Sequence, residues 1–257
     1  MATREPVLKD KIAIVTGAGK GLGAACAAEL DSEGALVVVT DIDGDSAART
    51  AAGLTRGESA VCDVRDDAAV AALIDDVVAR HGRLDVMVAN AGIATVAPIV
   101  EMPLEEWRSV LAVNLDGVFS SVRYAARAMA ATGGGSIITM ASVTGFSGSP
   151  LIGHYAAAKA AVISLTKTAA IEMRPHGVRI NAVCPGFIGT ELVTERAHLF
   201  EQGLGIEDFG AVIDMKQGRM GEVGDVAPLV TFLASDRSRF STASTFVVDG
   251  GLTASLV

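Results

Sequence analysis

A short β-branched run, Lys11-Ile-Ala-Ile-Val-Thr16, passes at once into Gly17-Ala-Gly-Lys-Gly21-Leu-Gly23 and then into a helical run from Ala24 to Glu33. A strand, a tight turn and a helix in that order set free helix N–H groups and the positive end of a helix dipole at the strand's carboxyl end. Glycine permits the turn and lets a pyrophosphate approach the backbone. Gly17, Gly21 and Gly23, spaced within seven residues directly after a strand, exceed what a plain strand-to-helix connection requires.

The same alternation continues along the chain. Strands are expected at 35–40, 59–62, 84–89, 136–141 and 178–183, with helices at 67–81, from Leu104 to Ala131, and from Tyr155 to Met173. Repeated βαβ units specify an α/β fold, a Rossmann-type doubly wound parallel sheet with right-handed crossovers and helices on both faces. No linker or low-complexity tract interrupts it, so residues 1–257 are expected to form a single domain.

The second strand ends in Asp41, twenty residues beyond Gly21. A carboxylate there can accept hydrogen bonds from ribose hydroxyls and repels a 2′-phosphate, which selects NAD over NADP. Lys20, within the turn, is the one feature that could attract such a phosphate. Asp63 has two readings, a contact to the adenine amino group or an N-cap for the helix that follows.

Half of the residues are hydrophobic but only 4% are aromatic, with Val, Ile and Ala in runs. That suits strands buried on both faces beneath alanine-rich helices. A net charge of −9 without any Lys/Arg cluster argues against nucleic acid or an anionic membrane as partner. There is no apolar leader at the start and no apolar run long enough to span a bilayer, so a soluble, cytoplasmic protein is expected. Cys26, Cys62 and Cys184 are widely spaced among apolar neighbours, and His81, His154, His176 and His198 show no ligand spacing. Reduced core thiols and no metal site are expected.

Between Ser142 and Lys159 the sequence carries its densest chemistry. Tyr155 and Lys159 are four apart in an alanine-rich helical run, so one helix face carries both. An ammonium beside a phenol favours the phenolate, which makes Tyr155 a candidate general acid/base. Ser142 places a hydroxyl at a strand's carboxyl end, where open α/β sheets bind ligands.

Thr16-Gly17-x-x-x-Gly21-x-Gly23, Asn90-Ala91-Gly92, Ser142, Tyr155-x-x-x-Lys159, Pro185-Gly186 and Val248-Asp-Gly-Gly251 together resemble the short-chain dehydrogenase/reductase family in its form of about 250 residues. The resemblance implies that Tyr155 is the acid/base, that Lys159 lowers its pKa and binds the nicotinamide ribose, and that Ser142 polarises the substrate oxygen. It implies that Asn114 holds a water in a proton relay; a helix-kinking polar residue is the other reading of Asn114. It carries cofactor contacts to Gly17, Gly19, Lys20, Gly21, Leu22, Gly23, Asp41, Ile42, Asp63, Val64, Asn90, Ala91, Gly92, Tyr155, Lys159, Pro185, Gly186, Ile188 and Thr190. The implied reaction is hydride transfer between a secondary alcohol and NAD, in a homotetramer built partly from the Tyr155 helix and the helix before Ser142.

A lid over about 187–222, with the segments 93–98 and 143–153, is expected to set specificity. Val96, Val143, Phe146, Leu151, Phe187, Phe200, Phe209, Ile213 and Met215 would give an apolar pocket for a neutral alicyclic, aromatic or steroid-like alcohol. Packing of a lid helix on its own base is the other reading of Phe200 and Met215. His154 is expected to be exposed at the helix start, with substrate contact as its other reading. Sugar alcohols, acyl-carrier-protein substrates and a non-catalytic NAD sensor are the alternative functions, together with an epimerase or dehydratase.

Overall fold

A computed structural model describes residues 5–254. Strand β1 (Ile12–Thr16) leads through the glycine turn into helix α1 (Gly21–Ser32). There follow β2 (Leu36–Asp41), α2 (Gly44–Ala52), β3 (Gly57–Val61), α3 (Asp67–His81) and β4 (Val86–Ala89). The second half contains α4 (Leu104–Leu111), a π-helical turn (Ala112–Asp116), α5 (Gly117–Thr132), β5 (Gly135–Met140), α6 (Gly153–Met173) and β6 (Val178–Pro185). The chain closes with α7 (Glu191–Thr194), α8 (Ala197–Leu204), α9 (Phe209–Gln217), α10 (Val223–Ala234) and β7 (Thr245–Val248).

The strands pair in parallel in the order β3-β2-β1-β4-β5-β6-β7. The order reverses between β1 and β4, where the two halves diverge and open a crevice at the strands' carboxyl ends. Side-chain alternation sorts the strands onto two apolar layers. Ile12 and Ile14 face a layer with Leu73 and Ile74 of α3, Val122 of α5 and Val162 of α6. Ala13 and Val15 face the opposite layer with Leu30 of α1, Ala47 of α2 and Val230 of α10. Cys26, Cys62 and Cys184 are buried free thiols.

Several boundaries differ from expectation, three of them around the elements that carry the site. The expected helix from Leu104 to Ala131 is interrupted by the π-helical turn, which contains Asn114. A π turn widens the backbone ring and re-aims side chains without ending the helix, and residue propensity does not register it. Helix α6 begins at Gly153, two residues before Tyr155. The strand expected at 84–89 begins at Val86; Asp85, just before it, still donates from its N–H to Ile12 O (2.9 Å) and accepts from Ser136 N–H (2.8 Å), and its buried carboxylate accepts from Ile12 N–H at 2.9 Å. Among the described residues no helix is long and apolar enough to cross a membrane.

Candidate active site

The crevice is a cavity of about 510 Å³ with the glycine turn at one end and Tyr155 and Lys159 on its wall. Its floor is set by the meeting of two turns. Thr16 Oγ1 accepts from the N–H groups of Asn90 (3.0 Å) and Ala91 (3.1 Å). Asn90 Nδ2 donates in return to the carbonyls of Thr16 (2.9 Å) and Gly17 (3.0 Å). The approach leaves no room for side chains. A Cβ at Gly17, where φ is +61°, would stand 2.7 Å from Ala91 Cα, and one at Gly23 would stand 2.3 Å from Gly17 O.

Helix α1 has no side-chain cap at Lys20, so its first N–H groups remain open at the cavity. With the glycine cradle this is an anion-binding helix start, and its chemistry fits a pyrophosphate. At the same end Asp41 Oδ2 accepts from Gly19 N–H (3.0 Å) and Oδ1 from Asp43 N–H (3.1 Å), fixing a carboxylate on the cavity wall. Lys20 is not a free cation, because it forms an ion pair with Glu191 at the start of α7. That carboxylate holds the Lys20 pKa above its usual value.

Asp63 also faces the cavity. It is not the N-cap of α3, since Asp66 caps that helix through Ala68 and Ala69 N–H. Instead Arg65 grips it through Nε (2.9 Å to Oδ1) and Nη2 (2.6 Å to Oδ2), which lowers the carboxyl pKa.

The expected catalytic residues come together at the other end. Ser142 follows β5 and accepts from Thr144 N–H at 3.2 Å, which orients its hydroxyl. Lys159, fully enclosed on α6, donates from Nζ to Met140 O at 2.7 Å, and Nζ lies 5.4 Å from the centre of the Tyr155 ring. Asn114 is buried, and its amide makes two 2.8 Å bonds with the backbone N–H and C=O of Ile93. The π turn thus fixes the loop after β4. Gly92 lies between the two, a Cβ there standing 3.5 Å from Asn114 Oδ1 and 3.8 Å from Lys159 Nζ, both ordinary contact distances.

Electrostatics here depart from the expected direction. Burial pushes the Tyr155 hydroxyl up to about 12, against the smaller opposing effect of its hydrogen bond with Ser142. Burial lowers Lys159 to about 8. Desolvation therefore outweighs the attraction that the four-residue spacing suggested.

Leu22, Gly21, Ile42, Val64, Ala91, Pro185, Gly186, Ile188 and Thr190 all reach the cavity, as expected; Gly19 touches it only through Asp41. The substrate end differs. Phe200, Phe209 and Ile213 are buried in a separate apolar cluster with Ile152, in which the Phe200 and Phe209 rings stack at 4.8 Å. Phe146 and Met215 are exposed (49% and 74%). The apolar wall is formed instead by Ile93, Val113, Leu192 and Val193, with Glu195 and Arg196 beside them. Sequence pattern marks the lid as amphipathic, but which of its residues turn inward is decided by packing on Ile152 and Leu151. His154, expected to be exposed at the helix start, is instead completely buried and absent from the cavity wall.

The family model that matches residues 17–253 is described as enoyl-(acyl carrier protein) reductase. An NADP-dependent (R)-specific alcohol dehydrogenase of Lentilactobacillus kefiri is 40% identical, over 96% of this chain and 98% of that protein. A cis-4-hydroxycyclohexanecarboxylate dehydrogenase of Sinomonas cyclohexanicum is also 40% identical, over 95% and 97%. The crystal structure of levodione reductase superposes with a TM-score of 0.91 at 32% identity, covering 96% of this chain and 99% of that one. With the glycine turn, the Tyr155 and Lys159 pair and the β1/β4 crevice in one cavity, this chain belongs to the short-chain dehydrogenase/reductase family.

Proposed function

We propose that the protein is an NAD-dependent dehydrogenase that interconverts a neutral, largely apolar secondary alcohol and its ketone, with Ser142, Tyr155 and Lys159 as its catalytic residues and Asn114 as their support. The observation that carries this reading is that Ser142, Tyr155 and Lys159 open onto the same cavity as the glycine cradle. The open N–H groups of α1 would hold the pyrophosphate, Asp41 the adenosine ribose, Asp63 and Val64 the adenine, and Pro185, Gly186, Ile188 and Thr190 the nicotinamide end. NAD, when bound, supplies the hydride acceptor for oxidation.

In that direction the substrate hydroxyl sits between Ser142 and Tyr155. Tyr155 Oη takes its proton, and the carbinol carbon gives up its hydrogen with both bonding electrons as the C=O bond forms. Ser142 donates to the developing oxyanion, and Lys159, held by Met140 O, sets an ammonium beside the phenol, where its attraction opposes the burial that holds the Tyr155 hydroxyl protonated. Asp41 favours NAD, and the engagement of Lys20 by Glu191 removes the cation that would have attracted a 2′-phosphate. The Sinomonas cyclohexanicum relative supports an alicyclic alcohol. Residues 187–222 act as the substrate lid of a single catalytic domain.

The test is NADH formation at 340 nm with cyclic, open-chain and polyhydroxy alcohols, under NAD and under NADP, beside Tyr155→Phe. Turnover on cyclic secondary alcohols, lowered at least about a thousandfold by the substitution, is expected. Turnover confined to polyols would overturn the apolar substrate, and full activity of Tyr155→Phe would overturn the mechanism.

A further inference from the structure

His154 precedes Tyr155 and lies fully buried, off the cavity wall, and the mechanism above does not use it. Helix α6 opens with Gly153, His154 and Tyr155 as its first three residues, preceded by Ile152 as N-cap. The third N–H of a helix is ordinarily taken by the side chain of a Ser, Thr, Asp or Asn cap. Isoleucine offers no acceptor. His154 supplies one from inside the helix, its Nδ1 accepting from Tyr155 N–H at 2.8 Å.

That bond fixes the tautomer. A backbone amide can only donate, so Nδ1 presents its lone pair and the ring proton lies on Nε2. Nε2 stands 2.5 Å from Thr95 Oγ1 and 3.6 Å from Glu106 Oε1 of α4. The imidazole therefore donates to Thr95 while it accepts from Tyr155. Thr95 belongs to the loop after β4, whose other anchors come from three separate elements. Asn114 binds Ile93, Arg196 Nε donates to Ala94 O at 2.8 Å, and Ala97 N–H donates to Leu151 O at 2.8 Å. Of these anchors only His154 bonds directly to the backbone of Tyr155.

We propose that His154 is a positioning residue for this reaction, setting the Tyr155 backbone and, through Thr95, the loop after β4 whose Ile93 lines the cavity in fixed relation through the two nitrogens of one neutral ring. The proposal rests on Tyr155 as the acid/base. Misplacing a reacting group by about 1 Å can cost on the order of a hundredfold in rate, so the tether bears on turnover and on substrate fit.

Two variants separate its halves. His154→Asn retains an acceptor where Nδ1 stood and loses reach to Thr95; His154→Gln retains a donor toward Thr95 and loses the bond to Tyr155. Steady-state kinetics should show KM raised about tenfold with kcat nearly intact for Asn, the converse for Gln, and both losses for His154→Phe. Thr95→Val should match His154→Asn, and combining the two should add nothing further. Histidine 15N spectra of the wild type should show His154 protonated on Nε2. Protonation on Nδ1, equal kcat and KM losses in the Asn and Gln variants, or folded variants indistinguishable from wild type would each overturn the tether. Tyr155→Phe in the same panel separates this failure from the other. If it keeps turnover, the assignment of Tyr155 falls and the kcat arm with it; if it is inactive beside normal His154 variants, the tether alone falls.

Discussion

Lys159 is 2% exposed and bonded to a single carbonyl, and burial lowers its pKa from 10.5 to about 8. Between those values the unfolded chain keeps a proton that the folded chain has released, so stability contributed by this group rises with pH from about 8 to 10.5. Tyr155, raised from 10.0 to about 12, acts in the opposite sense above pH 10, where the folded state retains a proton the unfolded state has lost. Lys159→Met should therefore be more stable than wild type near pH 7, with the advantage shrinking as pH approaches 10. Guanidinium unfolding at pH 7, 8.5 and 10 measures this, and a gap that stays constant would show that burial of the ammonium is not the cause. Asp41 supports a second prediction at this scale. Because its carboxylate is pinned by Gly19 and Asp43 N–H groups, it cannot swing away from a 2′-phosphate. Asp41→Ser should raise kcat/KM with NADP at least about tenfold and lower it with NAD, a change of about 1.4 kcal/mol or more in cofactor preference. Unchanged preference would place the discrimination elsewhere.

At the scale of elements, the strand, turn and helix around β1 and α1 were legible because glycine spacing reports directly on close backbone approach. Gly23 meets Gly17 O and Asn90 Nδ2, both parts of the rigid floor, so Gly23→Ala forces α1 away from the turn. Loss of about 1–3 kcal/mol of stability and a weakening of NAD affinity of at least about tenfold are expected. Gly224, in the first turn of α10 with no atom within 4 Å of an added Cβ, is the control. Gly224→Ala should be neutral or stabilising by up to about 1 kcal/mol, with NAD binding unchanged. Isothermal titration and thermal unfolding read both. Equal behaviour of the two variants would mean that the cradle is not close-packed. Other elements were less legible. The π turn around Asn114 has no propensity signature, since Ala112 to Asp116 reads as ordinary helix and only the amide's need for the Ile93 backbone identifies it. His154 was misread because its partners, Thr95 and Glu106, are distant in sequence.

Across the whole molecule the β-branched runs revealed the parallel sheet because strands buried on both faces must be apolar throughout, and crossover handedness then leaves few arrangements. The lid was legible only as a segment. Phe200, Phe209 and Ile213 are as apolar as any pocket residue, and their burial in a cluster of their own follows from contacts with Ile152 that no local pattern encodes. Assembly is the remaining inference at this scale. Phe119 on α5 and Ile171 on α6 are 46% and 53% exposed, on the helices that family resemblance assigns to subunit contact. Covering apolar surface contributes about 25 cal/mol per Å² before the costs of association, so a few such side chains suffice only together with the alanine-rich faces that let helices approach closely. Light scattering should give four times 26.2 kDa for the wild type. Phe119→Glu combined with Ile171→Glu should lower that mass while circular dichroism stays unchanged, because both side chains lie outside the folded core. A wild-type mass of 26.2 kDa would rule the tetramer out, and a tetramer untouched by the double substitution would move its interfaces to other faces, such as that carrying the fully exposed Phe240.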